Sequence, residues 1–371
     1  MRRRSNSPSL ARIAEEAGVS RAAVSMALRH HPRIPVATRE RIQAIAEKLG
    51  WKPNPLLAEA MSAIRAGQPP TEHVTLAWVT TYPERDAWKE SHFFRRLYDG
   101  CKARAERAGY KLEHFWLGDA RGSVSRLGDI LYNRGINGVI VAPLPNPGGL
   151  ALPWKHFAAA TIGYSLTAPR LHRAVDNHSA SVRAAVLRLL GAGCGRIGFV
   201  VSRSFDRRVQ GLWAGSYLWQ TNESGIFDPS LLHRPEELDE TLFIRWVRDV
   251  KPDAIISIDR RIPDWLRGAG IRAPDDLAYA NLDLAGPDTG IAGVYQDPEA
   301  IGAGAVDMVA GQLLRHERGL PEKPRTTIID GRWCNGNSAP SCPEDSDAFT
   351  ESQALLCNCG EFPALLPGAF D

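Results

Sequence analysis

Residues 12–34 read "RIAEEAGVSRAAVSMALRHHPRI". Two short amphipathic helices with a Gly-Val-Ser turn between them account for this stretch. Ser9 is placed to cap the first helix, in which Leu10, Ile13, Ala14 and Ala17 share a face, and Gly18 supplies the left-handed residue that ends it. Ser20 then caps a second helix with Val24, Ala27 and Leu28 inward. Its outward residues are Arg21, Ala22, Ser25, Met26 and Arg29. A third helix is expected from about Val36 to Leu49, burying Ile42, Ile45, Ala46 and Leu49. Three short helices with a tight turn between the first two form a helix-turn-helix.

Helical hairpins with a glycine turn also occur in ordinary cores, so the surrounding charge decides the reading. The chain carries a net charge of +3, but residues 1–65 hold 12 Lys and Arg against 5 Asp and Glu, an excess of +7. The remaining residues hold 33 against 37, a net −4. A basic head on a mildly acidic body points to a head that binds a polyanion and a body with another task. The outward Arg21, Ser25 and Arg29 suit a duplex, because hydroxyls bond phosphates and arginine bonds phosphate or reads guanine with two hydrogen bonds. The expected partner is double-stranded DNA.

Beyond the head, "GWKPNPLLAEAMSAIRAGQPPTEH" holds a short amphipathic segment between proline pairs, too short to be a stable helix alone. From residue 73 the texture changes to apolar strands alternating with helices, as in "HVTLAWVTTY", "FFRRLYDGCKARAERAG" and "INGVIVAPL". The alternation resumes with "FAAATIGYS", "SVRAAVLRLLGAG", "RIGFVVS", "DAIISID" and "LAYANLDL". Repeated strand–helix units mean parallel sheets covered by helices, and the length suffices for two α/β lobes. The expected division is a helix-turn-helix domain at 1–52, a hinge at 53–72 and a two-lobed domain at 73–333. The segment 334–371 lacks sustained periodicity and is expected to be a disordered tail.

Several classes of protein find no footing. No apolar run is long enough to span a bilayer, and "MRRRSNSPS" lacks the apolar stretch of a signal peptide, so a cytoplasmic location is expected. Cys334, Cys342, Cys357 and Cys359 lack the paired spacing of structural zinc sites and are read as free thiols in a loose tail. "GCGRIG" at 193–198 matches the dinucleotide-binding pattern in letters only. A helix precedes it and a strand follows, the reverse of what that chemistry needs, so it reads as a helix-to-strand turn. The adjacent His30 and His31 read as surface residues. There is no nucleophile elbow, Walker loop or H-E-x-x-H, and neither cofactor nor metal is expected.

The head resembles the N-terminal domain of the lac repressor/Gal repressor family of transcriptional regulators. The pattern is carried by Ala14, Ala17, Gly18, Val19, Ser20, Val24, Ser25, Thr38, Arg39, Glu40, Arg41, Trp51, Pro53 and Asn54. In the body, "RRVQGLWAGSY", "DAIISID", "LAYANLDLAGPDTGIAGVYQD" and "HERGLP" fall in the family's order and spacing, so the resemblance covers about residues 9–333. It implies a periplasmic-binding-protein-like effector domain, a homodimer and a near-palindromic operator. The family's base readers correspond to Arg21, Ala22 and Met26, and contacts to the DNA backbone are expected from Ser9, Ser20, Ser25, Arg29, Arg33, Thr38 and Asn54. The minor-groove wedge leucine aligns with Ala60, which leaves Ala60 or Met61 to act as the wedge. A phosphate-facing threonine is replaced by Ala23, and the serine that caps the third helix by Pro35. Direct readout therefore rests on Arg21 plus apolar contacts, for which the thymine methyl is a target.

For the effector, the resemblance implies Arg208, Asp259, Asp283 and Gln296, whose groups suit the hydroxyls of a sugar. Trp88, with Trp78, Phe93 and Trp213, is a candidate to stack on a sugar face, although most aromatics fill cores. The expected function is a repressor whose operator affinity is modulated by a carbohydrate bound between two lobes, with the hinge ordering on DNA. It would associate with the nucleoid when bound to its operator. Two rivals are a sugar-acting enzyme carrying a DNA-binding head and a constitutive DNA-binding protein with a decayed ligand site.

Overall fold

The computed structural model describes residues 10–28, 34–49, 51 and 74–340. In the head, α1 (Leu10–Ala17), α2 (Arg21–Ala27) and α3 (Val36–Lys48) enclose a small core of Ile13, Ala14, Ala17, Val24, Ala27, Ile42 and Ala46. Four of these seven are alanines, so the three helices approach closely. Ile45, Leu49 and Trp51 close the rim. Gly18 makes the α1–α2 turn at φ +64°, a conformation costly for other residues. The Ser20 hydroxyl accepts the Ala23 N–H at 3.1 Å and caps α2, whereas Pro35, with no side-chain oxygen, leaves α3 without a side-chain cap.

The body has two lobes, each built on a six-stranded sheet. The first contains β1 (Thr75–Thr80), β2 (Lys111–Trp116), β3 (Gly138–Val141), β5 (Ala158–Ile162), β7 (His172–Asp176) and β13 (Thr326–Ile329), in the order β13-β7-β5-β3-β1-β2 and wholly parallel. A two-stranded parallel ribbon of β4 (Gly148–Gly149) and β6 (Leu166–Ala168) lies beside it in the chain. Period-two alternation splits β1 between the faces. Leu76 and Trp78 join the core under α4 (His92–Arg107) and α11 (Pro298–Leu314), and Ala77 and Val79 join the core under α5 (Val124–Asn133). Helices α4 and α11 cross at small residues. A Cβ on Gly302 would lie 2.2 Å from the Leu97 carbonyl oxygen.

The second lobe contains β8 (Ile197–Val200), β9 (Leu232–His233), β10 (Ala254–Ser257), β11 (Ala278–Asn281), β12 (Gly293–Tyr295) and β14 (Arg332–Cys334), in the order β14-β12-β11-β10-β8-β9. Only β14 is antiparallel. One face is covered by α6 (His178–Gly191) and α8 (Leu212–Glu223), the other by α9 (Glu240–Val250) and α10 (Ile262–Gly268). A short α7 (Arg203–Arg208) follows β8. The chain passes between the lobes three times, from β7 to α6, from β12 to α11 and from β13 to β14. In both sheets the chain starts inside and winds outward in two directions, which opens a crevice at the carboxyl ends of the strands.

The second lobe extends beyond Trp333, where the sequence placed its end. Tyr279 N–H donates to the Ser338 carbonyl at 2.7 Å, and the Ser338 hydroxyl donates to the Tyr279 carbonyl at 2.8 Å while accepting Ala292 N–H at 2.9 Å. Residues 335–338 thus satisfy backbone groups beside the start of β11, and Cys334 and Ala339 are buried. Cys334 is accordingly part of the fold rather than of a loose tail. Cys342, Cys357 and Cys359 lie outside the described residues. The "GCGRIG" stretch is a turn from α6 into β8, as expected, with Gly195 and Arg196 N–H groups donating to the Asp253 carboxylate.

Candidate functional site

On the head, Arg21 is exposed at the start of α2, and Ser25 and Met26 are half-buried on the same helix. Thr38 is half-buried in the first turn of α3. The Ser20 oxygen is occupied as an acceptor by the helix it caps, which leaves its hydroxyl proton to donate to a phosphate. Ala22 lies within α2. Ser9, Arg29, Arg33, Asn54, Ala60 and Met61 lie outside the described residues, as do the 53–72 hinge and the segment from 341 onward.

Between the lobes is a cavity of about 370 Å³, within the range of small-molecule sites. Its lining comes from strand carboxyl ends. Tyr82 follows β1, Pro143 and Pro145 follow β3, Tyr164 and Ser165 follow β5, and Asp176 ends β7. From the other lobe, Phe205 and Arg208 follow β8, Ile258 follows β10, Asp283 follows β11 and Gln296 follows β12. Phe93, Phe94, His178 and Trp213 complete the aromatic walls.

Three of the five effector positions read from the sequence, Arg208, Asp283 and Gln296, line this cavity. Arg208 spans the crevice, its guanidinium donating to the Leu144 carbonyl at 2.9 Å and to the Pro145 carbonyl. Gln296 is fixed by donating to the Leu282 carbonyl at 2.6 Å. Asp283 Oδ1 lies 3.4 Å from His92 Nε2 across the crevice, yet neither atom has a hydrogen-bond partner among the described residues.

The other two positions are corrected. Trp88 is 3% exposed and packs among Trp78, Tyr98 and His114, with ring centroids 6.0, 5.2 and 5.6 Å away. It stabilises the first lobe because its short helical turn lays the indole on β1 rather than in the crevice, and Trp78 is likewise core. Asp259 is turned aside by its neighbour. Its carboxylate accepts the Arg261 backbone N–H at 2.9 Å and the Arg261 guanidinium at 2.6 Å, and it borders a smaller adjoining hollow.

Sequence reading missed the pair at the lobe crossing. His178 Nδ1 lies 2.9 Å from Asp176 Oδ2, and the His178 ring packs on Trp213 at 4.3 Å between centroids. Burial pushes the Asp176 carboxyl pKa up, opposed by the hydrogen bonds from His178 and Ser181 and reinforced by the charge of Asp283. Burial also raises the Tyr82 hydroxyl pKa, against the pull of Arg208. Four buried polar atoms of the lining, Tyr82 Oη, Asp176 Oδ1, Trp213 Nε1 and Asp283 Oδ1, have no hydrogen-bond partner among the described residues. Buried polar atoms are rarely left so, and several around one cavity mark it as a place for a polar ligand. Among the described residues no cluster of His, Cys, Asp and Glu is arranged to hold a metal, and no helix is long and apolar enough to cross a membrane.

A helix-turn-helix head joined to a two-lobed body with a polar cavity in its crevice defines a ligand-binding DNA regulator. Two family models match the chain, one described as bacterial regulatory proteins of the lacI family over residues 9–54, the other as a periplasmic binding protein-like domain over residues 186–339. The head thus carries a helix-turn-helix domain of the lacI family and the body a periplasmic-binding-protein-like domain. Solved structures with the same fold include the transcriptional regulator CelR in complex with cellobiose, 18% identical with TM-score 0.57, covering 90% of this chain and all of that one. The lac repressor dimer bound to operator and the anti-inducer ONPF is 15% identical with TM-score 0.53 over the same shares. A LacI-family regulator from Rhizobium etli is 15% identical with TM-score 0.58, covering 71% of this chain and 98% of that one. No curated protein matches the chain in sequence.

Proposed function

We propose that the protein is a repressor that binds a near-palindromic operator as a homodimer and whose operator affinity is set by a carbohydrate held between its lobes. The observation that carries the ligand assignment is the set of four unpartnered polar atoms in an aromatic-walled crevice. Carboxylate oxygens want donors, the indole N–H wants an acceptor and the phenol serves as either. Sugar hydroxyls supply both roles, and apolar sugar faces pack on rings. Arg21, with Ala22 and Met26, is the proposed base-reading set, and Ser9, Ser20, Ser25, Arg29, Arg33, Thr38 and Asn54 hold the phosphates. Ala60 or Met61 serves as the wedge in a hinge at 53–72. Arg208, Asp283 and Gln296 act on the ligand together with Asp176 and His178. Similar regulators carry cellobiose or a lac anti-inducer. A cytoplasmic site of action and the absence of catalysis belong to the same reading.

Ligand that closes the lobes would change the presentation of the two heads, with the hinge as the element that responds. A thermal-shift screen of mono- and disaccharides, followed by operator binding and turnover assays with each hit, tests this. A stabilising sugar that is not consumed and that alters operator affinity is expected. A sugar that is turned over supports the enzyme rival, and no response to any sugar supports the decayed-site rival.

A further inference from the structure

Helix α8 buries Trp213, Ala214, Tyr217 and Thr221 and turns Gly215, Leu218, Trp219 and Asn222 outward. Trp219 is 56% exposed, Leu218 beside it is exposed, and Phe227, just past the turn that ends the helix, is 47% exposed. A Cβ on Gly215 would meet nothing within 4 Å among the described residues, so the backbone beside them is open too. A single exposed leucine is ordinary. A tryptophan, a leucine and a phenylalanine around one helix end form an apolar patch of the kind that marks a contact surface. Tyr217, in the same turn of α8, donates its hydroxyl to the carbonyl of Ile197, the first residue of β8, at 2.8 Å. The patch therefore lies toward the amino ends of the strands, opposite the crevice.

The chain leaves the described residues at the same end. Ala339 is buried in the core that α6 and α8 share, together with Cys194, Ile197 and Tyr217, and Ile226, next to Phe227, packs on that core. Residues 341–371 follow. Ten extended residues span about 33 Å, roughly three helix diameters, so reach does not limit where they lie.

The composition of this segment calls for cover. Seven of its 31 residues are Leu or Phe: Phe349, two in "ALL" at 354–356 and four in "FPALLPGAF" at 362–370. That exceeds the share of about one-fifth below which charged chains stay solvated. Missing periodicity argues against an amphipathic helix there, not against an extended strap. Six residues of the segment are Asp or Glu and none is Lys or Arg, whereas α6 and α8 together carry Arg183 and Arg188 against Glu223. Charge favours the contact.

We propose that residues 341–371 fold back within their own chain and lay their Leu and Phe side chains on the patch of Leu218, Trp219 and Phe227. The second lobe then carries its own cover, and the patch is closed to other partners.

Cys342, Cys357 and Cys359 make the segment its own crosslinking reporter in the full chain. Asn222→Cys sets a thiol on α8 beside the patch, and Arg245→Cys sets one at an exposed position of α9, across the sheet. With a short bismaleimide and peptide mass mapping, position 222 should link to the segment within one chain at least about tenfold faster than position 245, because docking raises the local thiol concentration. Adding Trp219→Asp, a change at an exposed site, should bring the rate at 222 down to that at 245. Equal rates at 222 and 245 without that change would overturn the proposal, since the segment then visits both faces alike. A rate at 222 indifferent to Trp219→Asp would overturn it by removing the apolar patch as the seat. Links that form only between two chains would make a second copy the occupant and overturn it as well.

Discussion

Replacing Asp176 by Asn should separate ligand binding from stability. The side chain of Asp176 is 1% exposed, with one oxygen engaged by His178 and Ser181 and the other, at the cavity wall, without a hydrogen-bond partner among the described residues. Burial raises its pKa, so the fold favours the protonated form. That preference is fully present below the unfolded pKa and is lost as pH rises through the folded one. Asparagine keeps the shape and removes the charge, imitating the protonated state. At pH 7 the ligand-free variant should therefore melt at or above the wild-type temperature, and the difference should shrink as pH falls toward 4. Ligand binding should weaken, because a charge-assisted hydrogen bond contributes about 1.5–3 kcal/mol, or roughly 10- to 150-fold in affinity. Calorimetric titration at pH 7 with a sugar hit, beside melting curves at pH 4 and 7, gives both readings. A variant that loses stability without ligand and binds ligand normally would refute the reasoning, since the Asp176–His178 pair would then serve the fold alone.

Three further outcomes are expected. Arg21→Ala should cost about 1–3 kcal/mol on the best operator and relax preference at one base pair per half-site, while Arg33→Ala should weaken all sequences alike; identical profiles across an operator library would make Arg21 a phosphate contact. Gly302→Val would push a side chain into the Leu97 carbonyl, 2.2 Å from the Cβ position, and should cost about 1–3 kcal/mol or more, read as a lower melting temperature. The His114 ring, desolvated beneath Trp88 and bonded to Thr80 at 2.7 Å, has its pKa lowered to about 4. The unfolded chain takes up that proton first as pH falls, so stability should decline from about pH 6.5 toward 4. His114→Gln should flatten that decline in acid-denaturation curves.

The head was legible because its constraints are local. A cap at Ser20, a left-handed turn at Gly18 and a helical period fix three helices without reference to distant residues. The alternation of strands and helices was equally local and implied parallel sheets. The cavity was only half legible, since its walls are assembled from strand ends up to about 200 residues apart, such as Tyr82 and Asp283. Asp176 escaped notice because "DNHS" reads as an ordinary helix start, and Asn177 does cap α6. A carboxylate closing the apolar run "RAVD" was the available signal. Trp88 and Asp259 misled for the converse reason. Their residue types suit a sugar, but a turn folds the indole inward and an arginine two residues on engages the carboxylate.

The central claim is that one chain couples a DNA-reading head to a ligand-sensing crevice. Its most direct test is fluorescence anisotropy of the intact protein on a duplex recovered by binding selection, titrated with a sugar that stabilises the protein. Operator affinity should shift by at least about fivefold at saturation, the lower end of measured coupling between sites, and the ligand concentration needed should rise in Asp283→Asn. Tight operator binding that stays the same at every ligand concentration would contradict the account.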